Sequence, residues 1–367
     1  MASKYKPFIN IGPGFYIEEE LESRGWSKGD LATIIGISPS QVSEIIHNKR
    51  VITLDTAKLL GKAFGQSPQY WLNLYTNYKL REEVTTEAET AAETKANILT
   101  HMPIADMVKK GWLPKWNGKL TTLVNSVKKF WDMPELDFSF MEKQVAPAFR
   151  KSEAYTKYNQ YYALTWYHMA KKCAAKYKVE KYDRKALMDI SKELAEYSYY
   201  ENGIKVFIED LKNAGVKFLV LPHLEKTYTD GAAFWDDDNP VIVWTGRYKR
   251  EDNFWFTVAH EIAHILLNLR SKDTFFIDCE NMGVDDKEDE ANLFAEIAIK
   301  RKDILEYIGP GKVTTRQVKD CSEELGISPA LIVGQLQHLK ILKHYQHREL
   351  IVPDVRKYIP KKYLSMN

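Results

Sequence analysis

The residues His260-Glu261-Ile262-Ala263-His264 lie inside the apolar run Phe254 to Leu269, and this is the segment that most restricts what the chain can become. The run predicts a long helix, on which residues four apart share a face. His260 and His264 then bring both imidazoles to one point, with Glu261 beside them. Two imidazoles in that arrangement can hold zinc, and the adjacent carboxylate can act on a water at the same place. The alternative is an amphipathic core helix with two satisfied histidines. Against it stand the lead-in Phe254-Trp-Phe-Thr-Val-Ala259 and the acidic segment that follows.

A catalytic zinc needs a third protein ligand and keeps a fourth position for water. The candidates lie in Glu288-Asp-Glu290-Ala-Asn292-Leu-Phe-Ala295, which reads as the next helix. Glu288 fits best, because Asn292 follows one turn later and its amide can brace a ligand histidine. Glu290, on a different face, is the second choice. No clear oxyanion donor is visible; Tyr228, Tyr248 and His223 are the candidates.

At 367 residues the chain has room for two or three domains. Its 44% apolar and 28% charged residues are those of a soluble globular protein. It has no apolar run long enough to span a membrane. Met1 to Pro7 carries lysines without an apolar core, so no secretory signal is expected. Three cysteines, Cys173, Cys279 and Cys321, without close pairing predict reduced thiols and a cytoplasmic protein. Cys279 falls between the histidines and Glu288, where a plain small residue is a better reading than a thiol switch. A net charge of +2 says little about partners, so any DNA-binding charge must be placed locally.

Changes of pattern divide the chain into residues 1–81, a series of short helices; 82–200, a polar linker and a helical middle domain; 201–310, the segment with strands and the histidine helix; and 311–367, a helical extension packed on it. The fold class expected is mainly α, with an α+β C-terminal part built around a small sheet. The middle segment holds many aromatics (Trp112, Trp116, Phe130, Trp131, Phe149, Tyr161, Tyr162, Trp166 and Tyr167), which read as a core, with base stacking a minor alternative. Lys217 to Pro222 is a short β-type run. Ala232 to Trp235 and Pro240 to Trp244 flank a turn at Asp236–Asn239 and predict a hairpin. That turn lacks the glycine and following glutamate of a calcium loop, so it reads as solvated.

In the first segment Ser27 can cap a helix ending at Gly36, and Ser38 can cap the next, with Pro39 at its first position. Val42, Ile45 and Ile46 make the buried side of that second helix. Ser40, Gln41, Ser43 and Glu44 face away, and Ser38 with Ser40, Gln41 and Ser43 places short polar groups where major-groove readout needs them. Lys49 and Arg50 suit phosphates. Glu44 would oppose phosphates unless it meets a cytosine amino group or solvent. An ordinary helical bundle is the alternative. The series of Pro13-Gly14, Leu31-Ala32, Gly36-Ile-Ser-Pro39, Val42-Ser43, Asn48-Lys-Arg50, Ala57, Ser67-Pro-Gln-Tyr-Trp-Leu-Asn-Leu74 and Tyr78 resembles the HigA-type antitoxins, within the phage-repressor-like helix-turn-helix class. That resemblance covers about residues 10 to 80. It implies operator DNA binding as a homodimer and autoregulation of a toxin–antitoxin operon.

Gly231-Ala-Ala-Phe-Trp235, Phe254 to Leu267 and Glu288-x-x-Ala291-Asn292-x-Phe294-Ala295 resemble the ImmA/IrrE metallopeptidases, as do Gly326-Ile-Ser-Pro329 and Ile332-Val-Gly334-Gln-Leu336. This second resemblance spans about residues 200 to 345. It implies that His260, His264 and Glu288 hold zinc, that Glu261 is the general base, and that a repressor-type protein partner is cleaved. Ile297-Ala-Ile-Lys300 departs from the Leu-Met-Pro-type turn usual after the acidic motif. The reading is a DNA-binding regulator with a zinc endopeptidase domain. The competing one is a non-enzymatic antitoxin or repressor whose C-terminal part binds a cognate toxin or senses a ligand. Gly326-Ile-Ser-Pro329 repeats Gly36-Ile-Ser-Pro39, but its helix starts apolar, which predicts packing rather than a second DNA reader. The basic tail, Lys357 to Lys362, reads as solvated.

Overall fold

A computed structural model of the chain describes residues 10–82, 86–148, 158–269, 275–279 and 286–364. Phe149, one of the aromatics assigned to the middle core, lies outside them. Among these residues the protein is mainly α-helical with one small mixed sheet, and the chain divides into two compact units, Met1–Ala92 and Glu93–Asn367.

The first unit contains α1 (Pro13–Arg24), α2 (Lys28–Ile35), α3 (Pro39–Ile46), α4 (Leu54–Phe64) and α5 (Pro68–Arg81). Their starts are written locally. Ser27 and Ser38 each form a reciprocal capping box with the third helical residue, Asp30 and Gln41, while Thr53 and Ser67 cap α4 and α5. Gly25, Gly36 and Gly65 end α1, α2 and α4 in the left-handed conformation. Ile17, Leu31, Val42, Ile45, Leu60 and Trp71 fill the core.

In the second unit β1 (Lys217–Val220), β2 (Thr229–Asp236), β3 (Asn239–Trp244) and β4 (Phe275–Cys279) form a sheet in the order β1-β3-β2-β4. The β1–β3 pair is parallel and the other two pairs are antiparallel. The hairpin β2–β3 is the one expected from the sequence, whereas β4 was not anticipated. Both faces of the sheet are covered, which is why its strands read as continuous apolar runs. Alternate residues feed two cores. Leu219, Ala232, Phe234, Val241 and Val243 meet helices of the middle segment, including Gln160–Ala174. Phe218, Val220, Ala233, Ile242 and Trp244 meet the histidine helix, Glu251–Ala263, and its neighbours. The hairpin turn is less solvated than its sequence implied: Asp236 pairs with buried Lys217 at 2.6 Å, and Asn239 Nδ2 donates to the carbonyls of Glu180 and Gly215.

The helix Pro329–His338 is buried along nearly its whole length, as its apolar start implied. It packs so closely on the histidine helix that a Cβ on Gly334 would overlap the Asp252 carboxylate. The tail also enters the core, since Val355, Ile359 and Tyr363 are buried there although its lysines face outward. No described helix is long and apolar enough to cross a membrane.

Glu251, the first residue of the histidine helix, is buried between Trp255 Nε1, which donates to it at 3.3 Å, and Ser328 Oγ at 3.2 Å. Burial pushes its carboxyl up from 4.5 to about 7, a rise that Asp252 adds to and the two hydrogen bonds limit. The folded state therefore holds this proton where the unfolded chain has lost it. The resulting stability is fully present below about pH 4.5 and is lost as pH rises through about 7. Urea denaturation at about pH 5 and about pH 8 should show the natural protein losing up to about 3 kcal/mol more than Glu251→Gln across that interval. Equal losses in the two proteins would refute the assignment.

Candidate metal centre and nucleic-acid interface

The histidine helix runs as α-helix to Ala263 and continues as a π-helical turn over His264–Asn268. The sequence had suggested uniform α-helix; π turns are rare and often occur at functional sites. His260, Glu261 and His264 are at most 2% exposed. The acidic helix, Asp286–Ala298, crosses beside them. His260 Nε2 and His264 Nε2 lie 2.9 Å apart, Glu288 Oε2 is 3.2 Å from the first and Glu288 Oε1 is 3.6 Å from the second. Ligand atoms about 2.1 Å from a tetrahedral ion stand about 3.4 Å apart, so two imidazole nitrogens and a carboxylate converging this closely fit a metal ion. Glu290, the other sequence candidate, is exposed outside this cluster.

Asn292 Oδ1 is 3.1 Å from His260 Nδ1. Since that oxygen can only accept, Nδ1 carries the hydrogen and Nε2 turns its lone pair toward the cluster. Burial pushes the Glu288 carboxyl up, but hydrogen bonds and charge from His260 and His264 in their protonated form, in which Nε2 donates instead of offering a lone pair, outweigh it and hold the group at about 2. Glu288 is thus an anion ready to bind a cation.

Two neighbours of His264 were missed by sequence reasoning. Phe276 of β4 stacks on its ring at 4.2 Å, and the Asn268 amide lies 3.4 Å from its Nδ1. Asn268 had a signal, since it sits four residues after His264. Phe276 had none, because β4 was not foreseen. Of the oxyanion candidates, His223 lines a separate cavity, and Tyr228 and Tyr248 place their rings against Arg247. Cys279 ends β4, but its side chain lies outside what the structure describes.

Glu261 owes its position partly to Gly231. The β2–β4 pairing shifts register between Thr229 and Gly231, and Gly231 then abuts the Glu261 carboxylate so tightly that a Cβ would overlap Oε1. Bulges of this kind recur beside active sites.

In the first unit Gly14 locks α1 to the end of α3. A Cβ there would overlap the Ile46 carbonyl oxygen, and the Gly14 N–H donates to Asn48 Oδ1 at 3.0 Å. On α3, Val42, Ile45 and Ile46 are buried as expected and Ser40 and Glu44 are exposed, as are Lys49 and Arg50 just after it. Ser38 and Gln41 hold one another in the capping box, while Ser43 is half-buried. Glu44 pairs with Arg50 at 3.3 Å, an arrangement that sequence reasoning had not weighed and that partly cancels its charge.

Comparison with known proteins agrees with this division. The helix-turn-helix family matches residues 17–71, and the IrrE N-terminal-like domain family matches residues 201–336. Virulence-associated protein I of Dichelobacter nodosus is 43% identical over 72 residues, which are 19% of this chain and 67% of that protein. An uncharacterised HTH-type transcriptional regulator of Escherichia coli, YddM, is 35% identical over 74 residues, 20% of this chain and 79% of its own length. The solved structure of Pseudomonas aeruginosa antitoxin HigA with the higBA promoter has 31% identity and covers 24% of this chain and 91% of that one, with a TM-score of 0.19. Such a TM-score carries no weight for the architecture. The chain belongs, through its first unit, to the helix-turn-helix transcriptional regulators, and its second unit carries an IrrE N-terminal-like domain.

The Gly231–Glu261 contact makes a quantitative demand. Gly231→Ala should destabilise the protein by about 1–3 kcal/mol through overpacking. Adding the shorter Glu261→Asp should recover part of that loss in a double-mutant cycle by urea denaturation. Strict additivity would mean that the two residues do not press on each other.

Proposed function

We propose that this protein is a DNA-binding transcriptional regulator whose second unit is a zinc-dependent endopeptidase acting on a protein partner. The observation that carries the enzymatic part is the convergence of His260, His264 and Glu288 in a buried cluster with Glu261 next to the first histidine. His260, His264 and Glu288 would hold the ion, and Asn292 would orient His260. Bound there, zinc supplies Lewis-acid polarisation of a peptide carbonyl and acidifies water. Glu261 acts as general base, taking a proton on a carboxylate oxygen and returning it to the leaving amine.

For the first unit, the reading is operator recognition by α3, with Ser38 and Gln41 holding the helix start and Ser40, Ser43 and Glu44 near base edges. Lys49 and Arg50 meet phosphates. A homodimer on a palindromic operator follows from this mode of binding. The 31% sequence identity to an antitoxin solved with its promoter supports autoregulation, with a cognate toxin as another protein partner. A regulator of this kind works in the cytoplasm.

Elemental analysis of the purified protein should find about one zinc per chain, lost in His264→Ala. Asn292→Ala should weaken zinc binding by roughly ten- to a hundredfold. Glu261→Gln should keep zinc and DNA binding but abolish cleavage of the partner. No zinc after metal is supplied would refute the peptidase reading. Full biological activity in Glu261→Gln would favour the non-enzymatic antitoxin.

A further inference from the structure

A cavity of about 900 Å³ opens where the chain leaves β1 and β3. These strands are parallel, so both carboxyl ends point the same way, and ligands in open α/β sheets recurrently lodge in the crevice such ends create. None of its lining residues belongs to the His260–His264–Glu288 cluster. Its volume is that of a small-molecule site.

The walls are cationic. Lys110, His223, Arg247, Lys249, Arg356 and Lys357 line the cavity, against Asp354 as the single lining carboxylate. Three of the cations are balanced locally: Lys110 by Asp106 at 2.5 Å, Arg247 by Asp230 at 3.2 Å and Arg356 by Asp354 at 2.5 Å. Burial holds the His223 imidazole below its ordinary value and so uncharged near neutral pH, and Lys249 and Lys357 remain, among the described residues, as two positive charges in excess. The backbone places them together, since the Val355 N–H donates to the Lys249 carbonyl at 2.9 Å. Arg247 is held in place by the Tyr228 carbonyl and by the rings of Tyr228 and Tyr248. Val220, Pro222 and Leu364 supply an apolar side.

Two excess cations match a dianion, and a monocarboxylate would leave one of them uncompensated. Lysine and arginine together suit phosphate oxygens. We propose that this cavity binds a phosphate-bearing small molecule of nucleotide size, with its phosphates at Lys249, Lys357 and Arg356 and its apolar part against Val220, Pro222 and Leu364. The proposal is independent of the peptidase reading, because it uses no residue of the metal cluster.

Calorimetric titration of the full chain with pyrophosphate and with ATP tests it, using the natural protein, Lys249→Glu, Lys357→Glu and the milder Lys249→Gln. Both lysines are exposed, so the variants should keep the natural circular dichroism and melting temperature. At least one probe should bind the natural protein, and each charge reversal should weaken it at least about tenfold, or about 1.4 kcal/mol. Absence of binding by both probes at millimolar concentration, or equal binding by the reversals, would overturn the proposal. So would loss of duplex DNA binding in Lys249→Glu when neither probe binds, which would assign the charge to nucleic acid.

Discussion

The helix that starts at Glu251 has no side it can leave in water. Phe254, Trp255, Val258, Ala259, Ile262 and Ala263 are all fully buried along one half of it, and on the other half Thr257, His260 and Glu261 are buried as well. The sheet covers it on one side, and the helix Pro329–His338 approaches closely enough to require Gly334. That enclosure carries His260, Glu261 and His264 out of water with it. Ionisable groups so placed need partners, and the acidic helix provides Glu288 and Asn292. The cluster is thus a consequence of burial as much as of ligand spacing.

The sheet turns that enclosure into a defined geometry. Its alternating residues separate two cores, so β2 cannot slip by one residue without exchanging them. In this fixed register the irregularity at Thr229–Gly231 sets two neighbours to different tasks. Asp230 pairs with Arg247 in the wall of the cationic cavity, and Gly231 makes room for Glu261. Two places of chemical interest are therefore joined by adjacent residues of one strand.

The sequence Gly-Ile-Ser-Pro occurs twice and separates local from tertiary effects. Both glycines adopt the left-handed conformation, with φ of 69° and 64°, both serines cap, and both prolines begin a helix. The helices then diverge. The one after Pro39 keeps Ser40 and Glu44 exposed, whereas the one after Pro329 is buried over Ala330–Gln337. Capping chemistry acts within four residues, while the use of a helix depends on what surrounds it.

Much of the site was legible because its determinants are local. Helical spacing puts His260 and His264 on one face, and serine, proline and glycine mark where α2 and α3 begin and end. The hairpin was readable for the same reason. β4 was not, since a five-residue edge strand has too little pattern, and Phe276 was lost with it. The exposed lysines looked like an ordinary solvated tail because nothing in their sequence brings Lys357 beside Lys249. The sequence by itself determined the helix ends, the apolar faces and the residue types able to bind metal or DNA, all of which follow from backbone and side-chain preferences over a few residues. Only the tertiary structure decided how closely Glu288, already the sequence's first choice, approaches the histidines, that Gly231 faces Glu261 and that a cationic cavity forms. Those outcomes depend on contacts between segments far apart in the chain, which packing of the two cores alone brings together.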